Sequence, residues 1–155
     1  MPTAESLRDL RFENLSQAVA ETESLLETGY ERRGKWTLGQ ACRHLRVVQD
    51  CSIDGYPWYF GLFAFMRPFV RPFLLPRIMA GNSPIGVPTT SIFVPGEDAD
   101  DATEVSLYKE SVARLENHTA PFHPHPGFGR LNHADMLRVY TTHAAHHLRF
   151  LEPRN

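Results

Sequence analysis

Eight histidines, at positions 44, 118, 123, 125, 133, 143, 146 and 147, are the residues of this 155-residue chain whose type and spacing could do chemistry. Neutral imidazole is the commonest nitrogen ligand for zinc, nickel, copper and iron. Two on one helical face, at i and i+4, can hold an ion from one side. His143 and His147 have that spacing, and His143 and His146, at i and i+3, could serve as well.

The helix that carries them arbitrates. Counting about 100° per residue from Met136, the apolar residues Val139, Tyr140, Phe150 and Leu151 centre the buried face at roughly 0–10°. His143 then falls near about 340° and His147 near about 20°, whereas His146 falls near about 280° on the flank. The first two are expected to point inward and the third to sit at the edge or in solvent. Imidazoles in the middle of a core stripe need their polar nitrogens satisfied. Hydrogen bonds to Tyr, Asp or backbone carbonyls would satisfy them, and so would a metal ion; spacing alone leaves both readings open.

A third ligand must come from another helix, and His44 is the best candidate. It lies beside the stripe of Leu45, Val48 and Cys51, at an edge that by itself reads as surface or half-buried. Cys51 falls on the same side two turns later, where a free thiol more often acts as a small hydrophobe than as a ligand. His123 and His125 sit in a Pro-rich run and are expected to pin that loop by local hydrogen bonds, with a ligand role left open. His118 and His133 lie near helix ends and are expected in solvent.

Four helices are expected to position these groups. The first spans Ser6 to Thr28, with Gly29 as a stop. The second opens at Thr37 with Gln40 as capping-box partner and ends at Gly55–Pro57. The third runs from Asp101 to His118 behind a cluster of acids that suits its positive end. The fourth opens at Asn132 and runs to Leu151. Between the second and third, Pro57–Asp98 is dense in Pro and Gly, so that only a short helix at Gly61–Phe65 or Pro72–Met79 is expected. No strand set is evident, although Thr89–Val94 could be extended. The fold class expected is all-α, a four-helix bundle with a long Pro-rich insert between helices 2 and 3, in one domain over residues 1–155.

Composition excludes much else. With 16 Lys+Arg against 18 Asp+Glu the net charge is −2, which offers no basic footprint for nucleic acid. Phe60–Ala80 is apolar, but Arg67, Arg71 and Arg77 and three prolines interrupt it, which argues against a membrane span. It is expected to cover the protein's own core, ahead of the alternative of an interfacial amphipathic segment, and its exposed parts could form a homodimer contact. Cys42 and Cys51 lie roughly 13 Å apart along one helix, beyond disulfide reach. With no secretory signal at the N-terminus, a cytoplasmic location is expected. No phosphate-binding glycine loop, nucleophile elbow or Cys-x-x-Cys pair is present. Arg outnumbers Lys by 14 to 2, and Arg67, Arg71 and Arg77 could steer an anionic substrate.

Two blocks carry a family resemblance. Trp36-Thr37-Leu38-Gly39-Gln40 followed by His44-Leu45, together with His125-Pro126-Gly127-Phe128-Gly129-Arg130-Leu131 and His143-Ala144-Ala145-His146-His147-Leu148, resembles the DinB-like superfamily of metal-binding four-helix bundles. The nearest likeness is to a branch catalogued as a domain of unknown function. The resemblance implies a divalent metal ion, zinc or nickel foremost, on His44, His143 and His147. It also implies an activity among those of the superfamily, which include thiol-dependent S-transferases, isomerases and metal-dependent hydrolases. Three protein nitrogens would leave a coordination position open, as catalytic sites do. His146, Tyr140 and Tyr108 are conceivable proton-transfer groups. A metal-dependent hydrolase or thiol transferase acting on a small molecule is therefore expected. The alternatives are a non-catalytic metal- or small-ligand-binding bundle, with a pocket roofed by Phe60, Phe63, Phe65 and Phe69, and an interaction module whose histidines are only core residues.

Overall fold

The computed structural model describes residues 7–87 and 89–154. Among the described residues there are five α-helices and one two-stranded sheet: α1 (Leu15–Thr28), β1 (Tyr30–Arg32), α2 (Leu38–Asp54), α3 (Arg67–Met79), α4 (Asp101–Glu116), α5 (His133–Leu148) and β2 (Leu151–Pro153). Two 3-10 helices, Trp58–Met66 and Ser91–Phe93, precede and follow α3.

Local signals set most helix ends. Thr37 caps α2, its side chain accepting from the Gln40 N–H while the Gln40 side chain accepts from the Thr37 N–H, so both halves of the capping box form. Asn132 caps α5 and Asp100 caps α4 without a reciprocal bond to the cap's own N–H, the Asn132 side chain accepting from the Asp135 N–H and the Asp100 side chain from the Thr103 N–H. Helix α1 starts later than the sequence suggests. Asn14 accepts from the Gln17 N–H and takes the cap, and residues 7–14 run without helix; the expected start at Ser6 lies outside the described residues.

The core gathers one face of α1, α2, α4 and α5 around Leu15, Leu25, Leu38, Leu45, Leu115 and Met136, each no more than 2% exposed. Helix α2 packs chiefly on α4. Gly39 lies so close to the start of α4 that a Cβ there would be 2.6 Å from the Ala99 carbonyl oxygen. Glu104 on α4, 2% exposed, takes Arg43 at 2.7 Å and Arg46 at 3.0 Å from α2, which answers a buried charge with two partners.

Three expectations about the fold are corrected. Strands do form, not at Thr89–Val94, where Ser91–Phe93 is a 3-10 turn, but where Tyr30–Arg32 pairs antiparallel with Leu151–Pro153. The fourth expected helix therefore stops at Leu148, and the chain turns into β2 before Leu151. The Pro-rich stretch is more helical than expected: α3 spans thirteen residues with Pro72 and Pro76 inside it. Pro68, Pro72 and Pro76 recur at i, i+4 and i+8 and all are exposed. The backbone bonds they forfeit thus lie along one solvent-facing row, where water can take their place.

The inner side of α3 is pinned by arginines. Arg67 Nε donates to the Pro126 carbonyl at 3.0 Å, and Arg71 Nη1 to those of Phe128 and Arg130 at 2.8 and 3.1 Å. Arg138 Nε reaches the Met79 carbonyl from α5 at 3.2 Å. Arg67 and Arg71, considered above as steering groups for a substrate, therefore serve as staples between the insert and the 125–131 loop.

Candidate metal centre

Helix α2 contributes His44 and α5 contributes His143 and His147 to one cluster. The Nε2 atoms of His44 and His143 lie 3.2 Å apart, and those of His143 and His147 lie 2.9 Å apart. One ligand atom from each of the three rings lies within 4.8 Å of the others, the only such three-residue group of His, Cys, Asp and Glu among the described residues. The i, i+4 spacing on α5 produces the second contact directly.

His44 is 4% exposed, more buried than its place at the edge of the α2 stripe suggests. The insert buries it. Phe93, at the end of the second 3-10 turn, brings its carbonyl to 2.7 Å from His44 Nδ1. A carbonyl can only accept, so Nδ1 carries the proton and Nε2 presents a lone pair to the cluster. Trp36 closes another side, stacked on His147 at 5.2 Å between ring centroids and tilted against His44 at 4.9 Å.

The donor set meets the requirement of a metal site. With His44 Nε2 bare, an N–H on His143 Nε2 can be aimed at one neighbour only, which leaves the other close nitrogen–nitrogen contact without a proton. A cation facing three lone pairs resolves both contacts at once. Burial pushes the pKa values of His44, His143 and His147 down, those of the last two well below the ordinary range. The proximity of the rings to one another adds to this for His143 and His147, while the Phe93 carbonyl opposes it for His44. All three are neutral at pH 7, the form that ligates.

The cluster forms part of the wall of a cavity of about 900 Å³. Val48, Tyr56, Phe60, Leu74, Ile78 and Phe93 supply much of its apolar lining, and exposed Arg33 and Lys35 stand at its edge. Two more histidines reach it. His125 stacks on Phe128 at 4.5 Å, with Nδ1 accepting from the Gly127 N–H at 3.1 Å. His146 accepts at Nδ1 from Arg149 Nη2 at 3.4 Å. Burial first, with Arg67 and Arg149 respectively beside them, pushes both pKa values down to about 4. In the neutral form each therefore carries its proton on Nε2 and has a donor left over. No Asp or Glu lines the cavity among the described residues.

Several sequence readings are refined. His146 takes the edge position of the two expected, half-buried at the cavity wall, and it stays outside the three-ring cluster. His125 does pin its loop, as expected, but it also lines the cavity. His118 is half-buried against Phe122, whose other stacking partner is the exposed His133. Cys51 is half-buried and outside the cluster. Tyr140 hydrogen-bonds to Tyr56 and to the Val48 carbonyl, Tyr108 is buried on α4, and neither lines the cavity. Of the Phe residues expected to roof a pocket, only Phe60 does so, while Phe63, Phe65 and Phe69 point to solvent. Trp36 and the Phe93 carbonyl join the site beyond the residues the sequence marks, although Trp36 carries a signal in standing next to the Thr37 cap that opens the helix of His44.

The chain belongs to a family of proteins of unknown function, DUF1569, whose model matches residues 4–154. No curated protein and no solved structure gives a significant match.

Proposed function

We propose that this DUF1569 protein is a divalent-metal-dependent enzyme of the DinB-like kind, with the ion held by His44, His143 and His147. The reading rests on one observation: three imidazole nitrogens from two helices converge at the wall of an apolar cavity, and hydrogen bonding among themselves cannot satisfy all of them. Zinc and nickel suit three neutral imidazoles best. A divalent ion would supply Lewis acidity and acidify a coordinated water or thiol, which serves hydrolysis and thiol transfer alike.

The chain's own groups define the rest. The Phe93 carbonyl holds His44 in one tautomer, and Trp36 packs against two of the three rings and excludes water from that side. His125 and His146 offer Nε2–H donors, and Lys35 adds positive charge at the edge, where Arg33 is paired with Glu152. A cavity rich in donors and free of carboxylates suits a small molecule with an apolar body and an acceptor-rich or anionic end. The same lack of a carboxylate base keeps a second reading in play, a non-catalytic binder of such molecules.

The test strips the protein with a chelator and restores zinc or nickel. An activated ester and a thiol–electrophile pair then serve as substrates. Metal-restored turnover that vanishes in His143→Ala supports the enzyme. Full metal occupancy with no turnover of either substrate supports the binder.

A further inference from the structure

The outer side of the insert has no partner in the protein. Trp58, Leu62, Phe63, Phe65, Phe69 and Phe73 are each between 59% and 80% exposed, and neither the Trp58–Met66 helix nor α3 contains a buried residue. On α3, Leu74 and Ile78 face the cavity, whereas Phe69, Phe73 and Arg77 recur at i, i+4 and i+8 and are exposed together. The helix is therefore apolar on two sides, one turned to the cavity and the other to the surroundings. An exposed patch of this kind marks a contact surface.

Charge indicates what the contact is. From Gly55 to Gly96 the sequence has no Asp or Glu, and its only charged residues are Arg67, Arg71 and Arg77. Elsewhere arginines meet acids: Arg43 pairs with Asp98 and Glu104, Arg46 with Glu104, and Arg114 with Asp54. Arg67, Arg71 and Arg77, with Arg130 and Arg138 near them, form no ion pair among the described residues. The backbone carbonyls that receive Arg67 and Arg71 satisfy their N–H groups but leave their charge in place. A two-fold contact with a second copy would set this unanswered positive charge against itself. A bilayer carrying anionic headgroups answers both features, with phosphate for Arg77 on the outward face, hydrocarbon for the aromatic rings, and the charge of Arg67 and Arg71 adding to the attraction from the inner side.

We infer that the outward face of the Trp58–Met66 helix and α3 lies in the interface of an anionic membrane. It rests on the bilayer rather than crossing it, since no helix among the described residues is long and apolar enough to span one. Trp58 and Tyr59 at the start of the segment are the residue types that settle at headgroup depth.

The test is flotation of the full chain with phosphatidylcholine vesicles, with and without roughly 30 mol% phosphatidylglycerol, at about 50 mM and about 500 mM salt. Wild type is expected to float with the anionic vesicles, with about tenfold weaker binding to neutral vesicles and at high salt. The double change Phe69→Glu with Phe73→Glu should abolish flotation with the melting temperature unchanged, and Arg77→Glu should weaken it several-fold. A second readout needs no change on α3: Trp emission should shift to the blue with anionic vesicles, and Trp58→Phe should remove that shift. Absence of flotation, or equal flotation with both vesicle types, overturns the inference. Light scattering that shows a dimer, made monomeric by the Phe-to-Glu pair and indifferent to vesicles, would assign the face to a second copy instead.

Discussion

His44 donates its Nδ1–H to the carbonyl of Phe93 at 2.7 Å, joining the middle of α2 to the end of the insert 49 residues on. That bond fixes which nitrogen of His44 faces the other two rings. A partner on the remote nitrogen of a ligating histidine orients the ring and raises its basicity.

Disturbing that carbonyl should therefore weaken metal binding without touching a ligand. Phe93 is buried and stacks on Phe60 at 5.7 Å, so Phe93→Ala frees the backbone that carries the carbonyl. The expected result is a loss of about 10–100-fold in zinc affinity, with about 3–5 kcal/mol of stability lost as well. Phe93→Leu should retain most of both. Competitive zinc titration and urea unfolding check the pair.

Gly39 tests the packing that positions α2. A methyl group there would meet the Ala99 carbonyl oxygen at 2.6 Å and the Asp100 carbonyl carbon at 2.9 Å, both main-chain atoms. The Gly39 N–H also donates to Asp101 at 2.6 Å. Gly39→Ala should cost about 1–3 kcal/mol by pushing α2 away from the start of α4. Thermal unfolding gives the cost, and an unchanged melting temperature would contradict this packing.

Acid should destabilise the metal-free protein. His125 has its pKa pushed down to about 4, by burial first and the Arg67 charge second, against an ordinary 6.5. Between those values the unfolded chain binds a proton that the folded chain refuses, so stability is complete above about pH 6.5 and falls as the pH drops toward 4. His146, pushed down to about 4 in the same direction, adds to the slope. Melting temperatures from pH 7.5 to pH 4.5 should decline throughout. His125→Gln should flatten the decline, and a flat wild-type profile would contradict the burial of these rings.

Where the code is local, the sequence reveals the structure. The Thr37–Gln40 box, the Asn132 cap and the inward faces of His143 and His147 follow from spacing along single helices, and the structure places them so. The depth of His44 does not follow, because α2 alone puts it at an edge and the distant Phe93 covers it. The sheet was hidden for a similar reason. Each strand is three residues long and the Arg32–Leu151 partners are far apart in sequence, too little for a period of two to show. Helix α3 exceeds the length that its prolines suggest, because Pro72 and Pro76 share one exposed row where water can take the backbone bonds they forfeit. The cavity, assembled from the insert and both ligand helices, is legible only in three dimensions.

The most direct test of the three-histidine centre is metal content, by plasma mass spectrometry on untagged protein purified without chelators. His44→Ala, His143→Ala, His147→Ala and His146→Ala would be measured beside the wild type. The account expects about one zinc or nickel ion per wild-type chain, lost in the first three variants and kept in the fourth. A wild type that stays metal-free after incubation with zinc and nickel, while its melting temperature is unmoved by either ion, would contradict it.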